Sequence, residues 1–466
     1  MRTTPLAISL FCLTLLGGCA SLLAPDYTRP ERPVPATLNA PAVASAANTE
    51  ASTPTLPALD WRQVITDERL QQTVALALEN NRDLRIAALN IEKARAQYRI
   101  TDANRYPAVD ATAGGSSSRY EGTITRKYSA GLGVTSYELD FFGRLANLSE
   151  SALQSFLATE ATQRSVRSSL IAEVADAWLT LAAYQDLLKL AEETRASRQK
   201  TLELTQKQLS LGGTSRLTVA QAQATTESAR GDVARYTALV AQSRNALDLL
   251  AGTTVPVSLL PPEDGAVGRS VVALVEVPEG VSSEVLLRRP DIVSAEHALI
   301  GAHADIGAAR AAFFPSITLT GSGGSASSSL NTLFDAGTRA WSFVPTLTLP
   351  IFNAGSLSAS LSVAEVSRDI QVATYEKTVQ TAFQEAGDAL AVRQTLNERM
   401  AAQQAEVAAY ATSLRLSTER YRSGADSYLN VLDSQRSLYA AQITLISLQL
   451  TEQSNRMTLF KVLGGE

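Results

Sequence analysis

The chain has only two imidazoles, His297 and His303. A helix brings two histidines to one metal when they are three or four apart; six apart they point to different faces, and no thiol lies near either. No Ser-His-Asp set has a recognisable context. Gly321-Ser322-Gly323-Gly324 lacks the following Lys that a phosphate-binding loop uses, and there is no nucleotide motif. Asp and Glu number 46, so a close pair of carboxylates among them distinguishes nothing. These residues predict neither a metal site nor a catalytic centre, and any work the protein performs would draw its energy from a partner. One constellation stands apart: Leu429, Asp433 and Arg436, at spacings of four and three, share one helix face. Two readings fit it. As an exposed helix pair, Asp433 and Arg436 would contribute a few tenths of a kcal/mol. Repeated by symmetry around a pore, the same face would make an apolar ring and an acidic ring, whose repelling carboxylates favour cations or an internal Arg partner.

The remaining reactive group is a thiol near the amino terminus. Residues 1–18 carry one positive charge at Arg2 and an apolar run from Leu6 to Leu16, the pattern of a secretory signal too short to span a membrane. Leu16-Gly17-Gly18-Cys19 resembles the lipobox at which bacterial lipoproteins are cleaved and acylated. Cleavage there discards Cys12 and leaves Cys19 as the amino terminus, carrying a diacylglycerol and an N-acyl chain, with no thiol free for a disulfide. Ala20, where an Asp would hint at inner-membrane retention, points to the outer membrane. Residues 19–57 are dense in proline and alanine and read as an extended tether. Beyond it the composition is globular; the net charge of the whole chain is −5, which gives nucleic acid nothing to bind.

The body of the chain is a tandem duplication. Tyr106-Pro107-Ala108-Val109-Asp110 matches Phe314-Pro315-Ser316-Ile317-Thr318 at an offset of 208 (315 − 107), and Phe141-Phe142-Gly143-Arg144 falls near Ile351-Phe352-Asn353-Ala354-Gly355. Gly212, Leu217, Val219 and Gln223 match Gly424, Leu429, Val431 and Gln435 at an offset of 212 (424 − 212). Two copies of one strand-strand-helix-turn-helix unit, 58–262 and 263–466, follow; single-site enzymes rarely look like this. Arg144 to Leu211 contains neither Pro nor Gly, and Ser356 to Ser423 contains only Gly387. Each tract as one helix would reach about 100 Å. Leu170, Val174, Ala177, Trp178, Leu181, Tyr184, Leu187 and Leu188 recur at the spacing of a packed helix face. Both tracts stop at glycine, Gly212-Gly213 and Gly424, and a Thr, Asp or Ser follows that can cap the returning helix over Leu217–Leu250 or Leu429–Leu463. Two long helical hairpins result.

Ahead of each hairpin lie two strand-like segments: 106–119 and 127–139, then 314–327 and 341–351. Tyr128, Ala130, Leu132 and Val134 hold one register and Tyr137 and Leu139 the other, which predicts a bulge between them. Pro345 and Pro350 need bulges or strand ends. Aromatic residues at the strand ends (Tyr106, Tyr137, Phe141, Phe142, Phe313, Phe314, Trp341, Phe352) suit a membrane-water girdle. No stretch outside the signal is long enough for a membrane helix, so a span would be made of strands. Four strands cannot close a barrel; two, three or four chains would supply eight, twelve or sixteen.

Pro25-Asp26-Tyr27-Thr28-Arg29-Pro30, Ala77-Leu78-Glu79-Asn80-Asn81-Arg82-Asp83-Leu84-Arg85 and Ala94-Arg95-Ala96-Gln97-Tyr98-Arg99 are familiar strings, as are Leu287-Arg288-Arg289-Pro290-Asp291-Ile292, Arg420-Tyr421-Arg422-Ser423-Gly424 and Leu432-Asp433-Ser434-Gln435-Arg436. With them the chain resembles the OprM and NodT-type branch of the TolC outer membrane efflux family over essentially its whole mature length. The resemblance implies a homotrimer: a twelve-stranded β-barrel in outer membrane lipid, continuous with a long periplasmic α-helical barrel, serving as exit duct of a tripartite pump for drugs or other toxic small molecules. It also implies a periplasmic adaptor meeting the helix-tip turns at Gly212, Gly213 and Gly424, and an inner membrane RND-type transporter as partner. The periplasmic gate carries over to Leu429, Asp433 and Arg436, with Tyr421 before the turn. Gln221 and Ala224 match Asp433 and Arg436, so any gate differs between the copies. Metal-ion efflux, protein secretion and a periplasmic adaptor lipoprotein are the alternatives, the last disfavoured by two hairpins where adaptors carry one.

Overall fold

The computed structural model describes residues 23–38, 59–262, 268–275 and 281–465; Cys19 and the signal lie outside them. Two short helices, α1 (Trp61–Val64) and α2 (Glu68–Asn80), precede α3 (Arg82–Ala103), β1 (Asp110–Tyr120), β2 (Thr123–Leu139), α4 (Arg144–Ser210) and α5 (Arg216–Ala251). The second copy repeats the order as α6 (Pro290–Ala311), β3 (Ser316–Ser327), β4 (Arg339–Thr348), α7 (Ser356–Arg422) and α8 (Tyr428–Val462). The helices α3 and α6, each 22 residues long and offset by 208 (290 − 82), belong to the duplication although the sequence pattern did not show them. Leu84 is the buried residue of α3, which therefore carries no apolar stripe to read.

Among the described residues, those in 23–32, 89–162 and 291–378 form one compact unit, and those in 33–88, 163–290 and 379–465 a second. Each unit draws on both copies, so the copies are units of sequence and not of packing. The first unit holds an antiparallel sheet in the order β1-β2-β3-β4. Glu121 and Gly122, both at positive φ, make the tight β1–β2 turn, so β2 begins at Thr123 and not near Lys127. β1 starts at Asp110, later than Tyr106, and β4 ends at Thr348, leaving Pro350 beyond the strand. Pro345 pairs with Leu319 inside an unbroken register of β4, so the bulge or strand end expected at Pro345 is not there. The β2 register shifts between Val134 and Tyr137, and the Ser136 amide donates to Thr320 Oγ1. The bulge returns Tyr137 and Leu139 to the face already occupied by Leu132 and Val134.

The pairing sorts the sheet into two faces. Val109, Ala111, Leu132, Val134, Leu319, Phe343 and Leu347 share an apolar face, while Thr112, Lys127, Ser129, Ser322, Ser342 and Thr346 share a polar one. Val109, Leu132, Phe343 and Leu347 are all exposed in the chain. Phe142 stacks on Phe314 at the helix-proximal end, ring centroids 4.7 Å apart.

Part of the expected tether is docked. Tyr27 donates to Glu296 at 2.9 Å, Arg29 binds the same carboxylate through two nitrogens at 2.8 Å, and Arg310 holds the Leu23 carbonyl. In the other unit Thr37 bridges Ser282. The proline-rich composition hid these contacts because one carboxylate on a distant helix supplies most of them.

In the second unit Leu170, Val174, Trp178, Leu181 and Leu187 of α4 are buried, with Ile171, Ala175, Leu179 and Ala182 beside them; Ala177, Tyr184 and Leu188 are half-buried. The Trp178 indole donates to the Leu259 carbonyl. Asn81, before α3, donates to Leu250 O at the end of α5; Arg289, before α6, reaches Val462 O at the end of α8 and Glu385 at 2.7 Å. Matched positions of the two copies thus tie down matched helix ends.

Candidate gate at the hairpin tips

Both long helices end alike. At the first tip Gly212 N–H bonds Leu209 O and Gly213 N–H bonds Gln208 O; at the second Gly424 bonds Tyr421 O and Ala425 bonds Arg420 O. Gly212 and Gly424 each take φ +75°. This pair of bonds satisfies the last carbonyls and needs a left-handed residue, which explains glycine at both positions. The Ser215 side chain caps α5 by accepting from Thr218 N–H. At the second tip neither Ser427 nor Asp426 caps with its side chain as expected: Asp426 accepts instead from Arg420 Nε at 2.7 Å and Asn430 Nδ2 at 3.0 Å. The Arg420 bond holds the Asp426 carboxyl below its usual range.

Of the four sequence-predicted gate residues, three are on the first turns of α8. Leu429 is exposed, and Asp433 and Arg436 form an exposed ion pair at 2.9 Å. Tyr421 is on the last turn of α7, half-buried, its ring 5.3 Å from that of Tyr428 and its hydroxyl donating to Gln208 Oε1 of the first hairpin at 3.3 Å. Tyr428, Val431 and Leu432 pack against Leu202 of α4 and Ala222 of α5, with Tyr421, Leu414 and Val219 around them. The tips of the two hairpins are thus held together by apolar packing, and Leu429, Asp433 and Arg436 are left facing outward from it.

A second group was missed by sequence reasoning because its members are distant in sequence and unremarkable in type. Arg198 of α4 is 6% exposed. It donates to the Thr225 carbonyl of α5 and lies over the Tyr439 ring of α8 at 5.4 Å. The Tyr439 hydroxyl donates to Asp232 Oδ2, and the other oxygen of that carboxylate pairs with Arg235. Burial lowers the Arg198 guanidinium from its ordinary value, and Arg436 adds to that. The Tyr439 phenol is pushed up to about 12, first by burial and then by the Asp232 carboxylate. Arg436, Ala224 and this group line one small cavity of about 280 Å³. So the Arg436 end of the predicted face is coupled to the first hairpin through Tyr439, one turn further along α8.

The histidines are apart in role as in position. His297 shares a hydrogen bond with Gln154 at 2.6 Å, and His303 meets the Tyr27 ring edge-on.

A sheet with one apolar and one polar face, two unpaired edges and paired helical hairpins defines a subunit of an oligomeric outer membrane channel; among the described residues no helix is long and apolar enough to cross a membrane. The outer membrane efflux protein family model matches residues 73–253 and 281–465. The chain belongs to that family. It is 46% identical to the probable efflux pump outer membrane protein TtgC of Pseudomonas putida, with 99% of this chain and 94% of that one covered. It is 42% identical to the cation efflux system protein CusC of Escherichia coli, over 99% and 100% of the two chains. A crystal structure of CusC superposes with a TM-score of 0.86, covering 95% of this chain and 100% of that one at 42% identity. The open-state MtrE channel of Neisseria gonorrhoeae gives 0.83, over 95% and 98%, at 39% identity. The fold class is therefore the one the family resemblance implied, a trimeric twelve-stranded barrel with four strands per chain and long periplasmic helices, and the protein is an outer membrane efflux channel.

Proposed function

We propose that this channel is the exit duct for organic toxicants, antibiotics or solvents, joined through its hairpin tips to a periplasmic adaptor and driven by an inner membrane RND-type transporter. The observation that carries this reading is the tip itself: identical glycine turns on both hairpins, closed by the Leu202–Tyr428–Leu432 cluster, with Leu429, Asp433 and Arg436 left free to form rings in a trimer. Relatives named for toluene, antibiotic and cation efflux bracket the cargo. The chain has three Met and two His, few soft ligands for copper or silver, which favours organic cargo. Acyl chains on Cys19 would add a lipid anchor to the barrel, and the channel needs no other cofactor.

Deleting the gene and challenging cells with toluene, antibiotics, and copper and silver salts tests the cargo. Loss of tolerance confined to the organic compounds is expected; loss confined to the metal salts would move the channel to cation efflux. For the gate, replacing Asp433 and Arg436 together with Ala should raise single-channel conductance in a planar bilayer. Unchanged conductance would remove the pair from the gate.

A further inference from the structure

The apolar face of the sheet is not flat. Leu132 and Val134 of β2 and Phe343 of β4 stand on either side of Gly321 and Gly323 of β3, and with Leu319 they enclose a groove of about 430 Å³. A Cβ on Gly323 would meet nothing within 4 Å, and one on Gly321 only Ser342 O at 3.7 Å and Phe343 Cδ2 at 3.8 Å. The glycines are thus not required by close backbone contact on this face; their effect is to leave a trough between side-chain ridges. The groove begins three residues into β3, at Leu319, and extends to Gly323. At about 3.4 Å per residue it lies from about 10 to about 24 Å along the strand, across its middle.

The docked amino-terminal segment points to the same place. Arg29 and Tyr27 bind Glu296, Tyr27 meets His303, Ala24 packs against Gly307 and Leu23 O accepts from Arg310. Read from residue 29 back to 23, the contacts advance along α6 from its first turns to its last, toward the start of β3 at Ser316. Gly307 is glycine for this reason: a Cβ there would lie 2.8 Å from Ala24 Cβ and from Asn147. Three residues separate Cys19 from Leu23, and the four Cα-to-Cα steps span at most about 14 Å. Covalent length alone therefore limits how far from the Leu23 carbonyl, which Arg310 holds, a group carried by Cys19 can start. A groove at that distance along the strand fits within the ~30 Å hydrocarbon core, where an acyl chain rising from the helix-proximal end would meet it.

We propose that the groove floored by Gly321 and Gly323 seats an acyl chain carried by this protein's own Cys19. The proposal rests on the acylation reading above. It makes the lipid a part of the barrel wall as well as an anchor, with methylenes filling the space that glycine leaves against Leu132, Leu319 and Phe343.

The test feeds cells a diazirine-bearing palmitate, irradiates them and maps cross-linked peptides of the full-length trimer by mass spectrometry. The expected product joins the Cys19 peptide through its acyl chain to peptides containing Leu132, Leu319 or Phe343. In the Gly321→Leu/Gly323→Leu double variant, which the open space above both residues should admit, that product should disappear while the trimer still forms. Labelled phospholipid on the groove peptides in place of the Cys19 chain would overturn the proposal in favour of a bilayer lipid. Cys19 chains cross-linked only to other peptides would overturn it while leaving the anchor intact. An unacylated Cys19 would overturn both.

Discussion

The ion pair between Asp433 and Arg436 and the buried cation Arg198 show how differently charge acts at two depths. The exposed pair is screened and contributes a few tenths of a kcal/mol to the fold, so it is free to be used for gating. Arg198 is enclosed, and its retention depends on the Thr225 carbonyl and the Tyr439 ring. Arg198→Met keeps the packing but deletes both interactions, and should lower the unfolding free energy by about 1–3 kcal/mol, read as a lower thermal midpoint of the trimer. The same variant should raise conductance, because it frees α8 from the first hairpin; a lower midpoint with unchanged conductance would make Arg198 purely structural. Tyr439 offers a titration. Its phenol is raised to about 12 from an ordinary 10, so its contribution is complete below pH 10 and is lost as pH rises through 12. Heat stability should fall across that window, and Tyr439→Phe should remove that part of the pH dependence. At this scale the sequence showed that Leu429, Asp433 and Arg436 share one exposed helix face and was silent about Arg198. That face is local, three residues within eight positions, whereas Arg198, Asp232 and Tyr439 span two hairpins and no spacing rule connects them.

Elements were the most legible level. Long helices demand an absence of proline and glycine, and that absence was visible to within a residue: Arg144–Ser210 and Ser356–Arg422, each 67 residues. The β2 bulge was legible too, since a pleat with period two cannot change face without an extra residue. Strand ends were less legible. The Glu121-Gly122 turn is only two residues long, and polar strand residues on both sides of it look like loop. The glycines of the sheet look alike in the sequence, and the structure separates them into two kinds. Gly324 has the Ala130 carbonyl 2.2 Å from where its Cβ would be, while Gly114 has nothing within 4 Å. Gly324→Ala should therefore block assembly of β2 against β3, seen as loss of heat-resistant trimer in outer membrane fractions, whereas Gly114→Ala should assemble normally. Equal behaviour of the two would mean that the strands separate readily enough to admit a methyl.

For the whole molecule, the duplication and the packing divide the chain along different lines. The sheet places β2 of the first copy beside β3 of the second. In the other unit Ser168 of the first copy donates to the Gly465 carbonyl of the second, and Ser454 donates to Asp176. Neither copy on its own holds the partners these groups need: each half of the sheet would gain one more unpaired edge, β2 or β3, and α4 would expose Ile171, Val174 and Trp178 without the helices that cover them. A chain cut between residues 262 and 268, with each half exported under its own signal, should consequently fail as separate halves. Each half expressed singly should be degraded in the periplasm, and expression of both together should restore heat-resistant particles that conduct in a bilayer. A single half that reached the outer membrane as a stable barrel would mean that six two-strand copies can close the ring, and that the interleaving seen here was acquired after the duplication, not imposed by it.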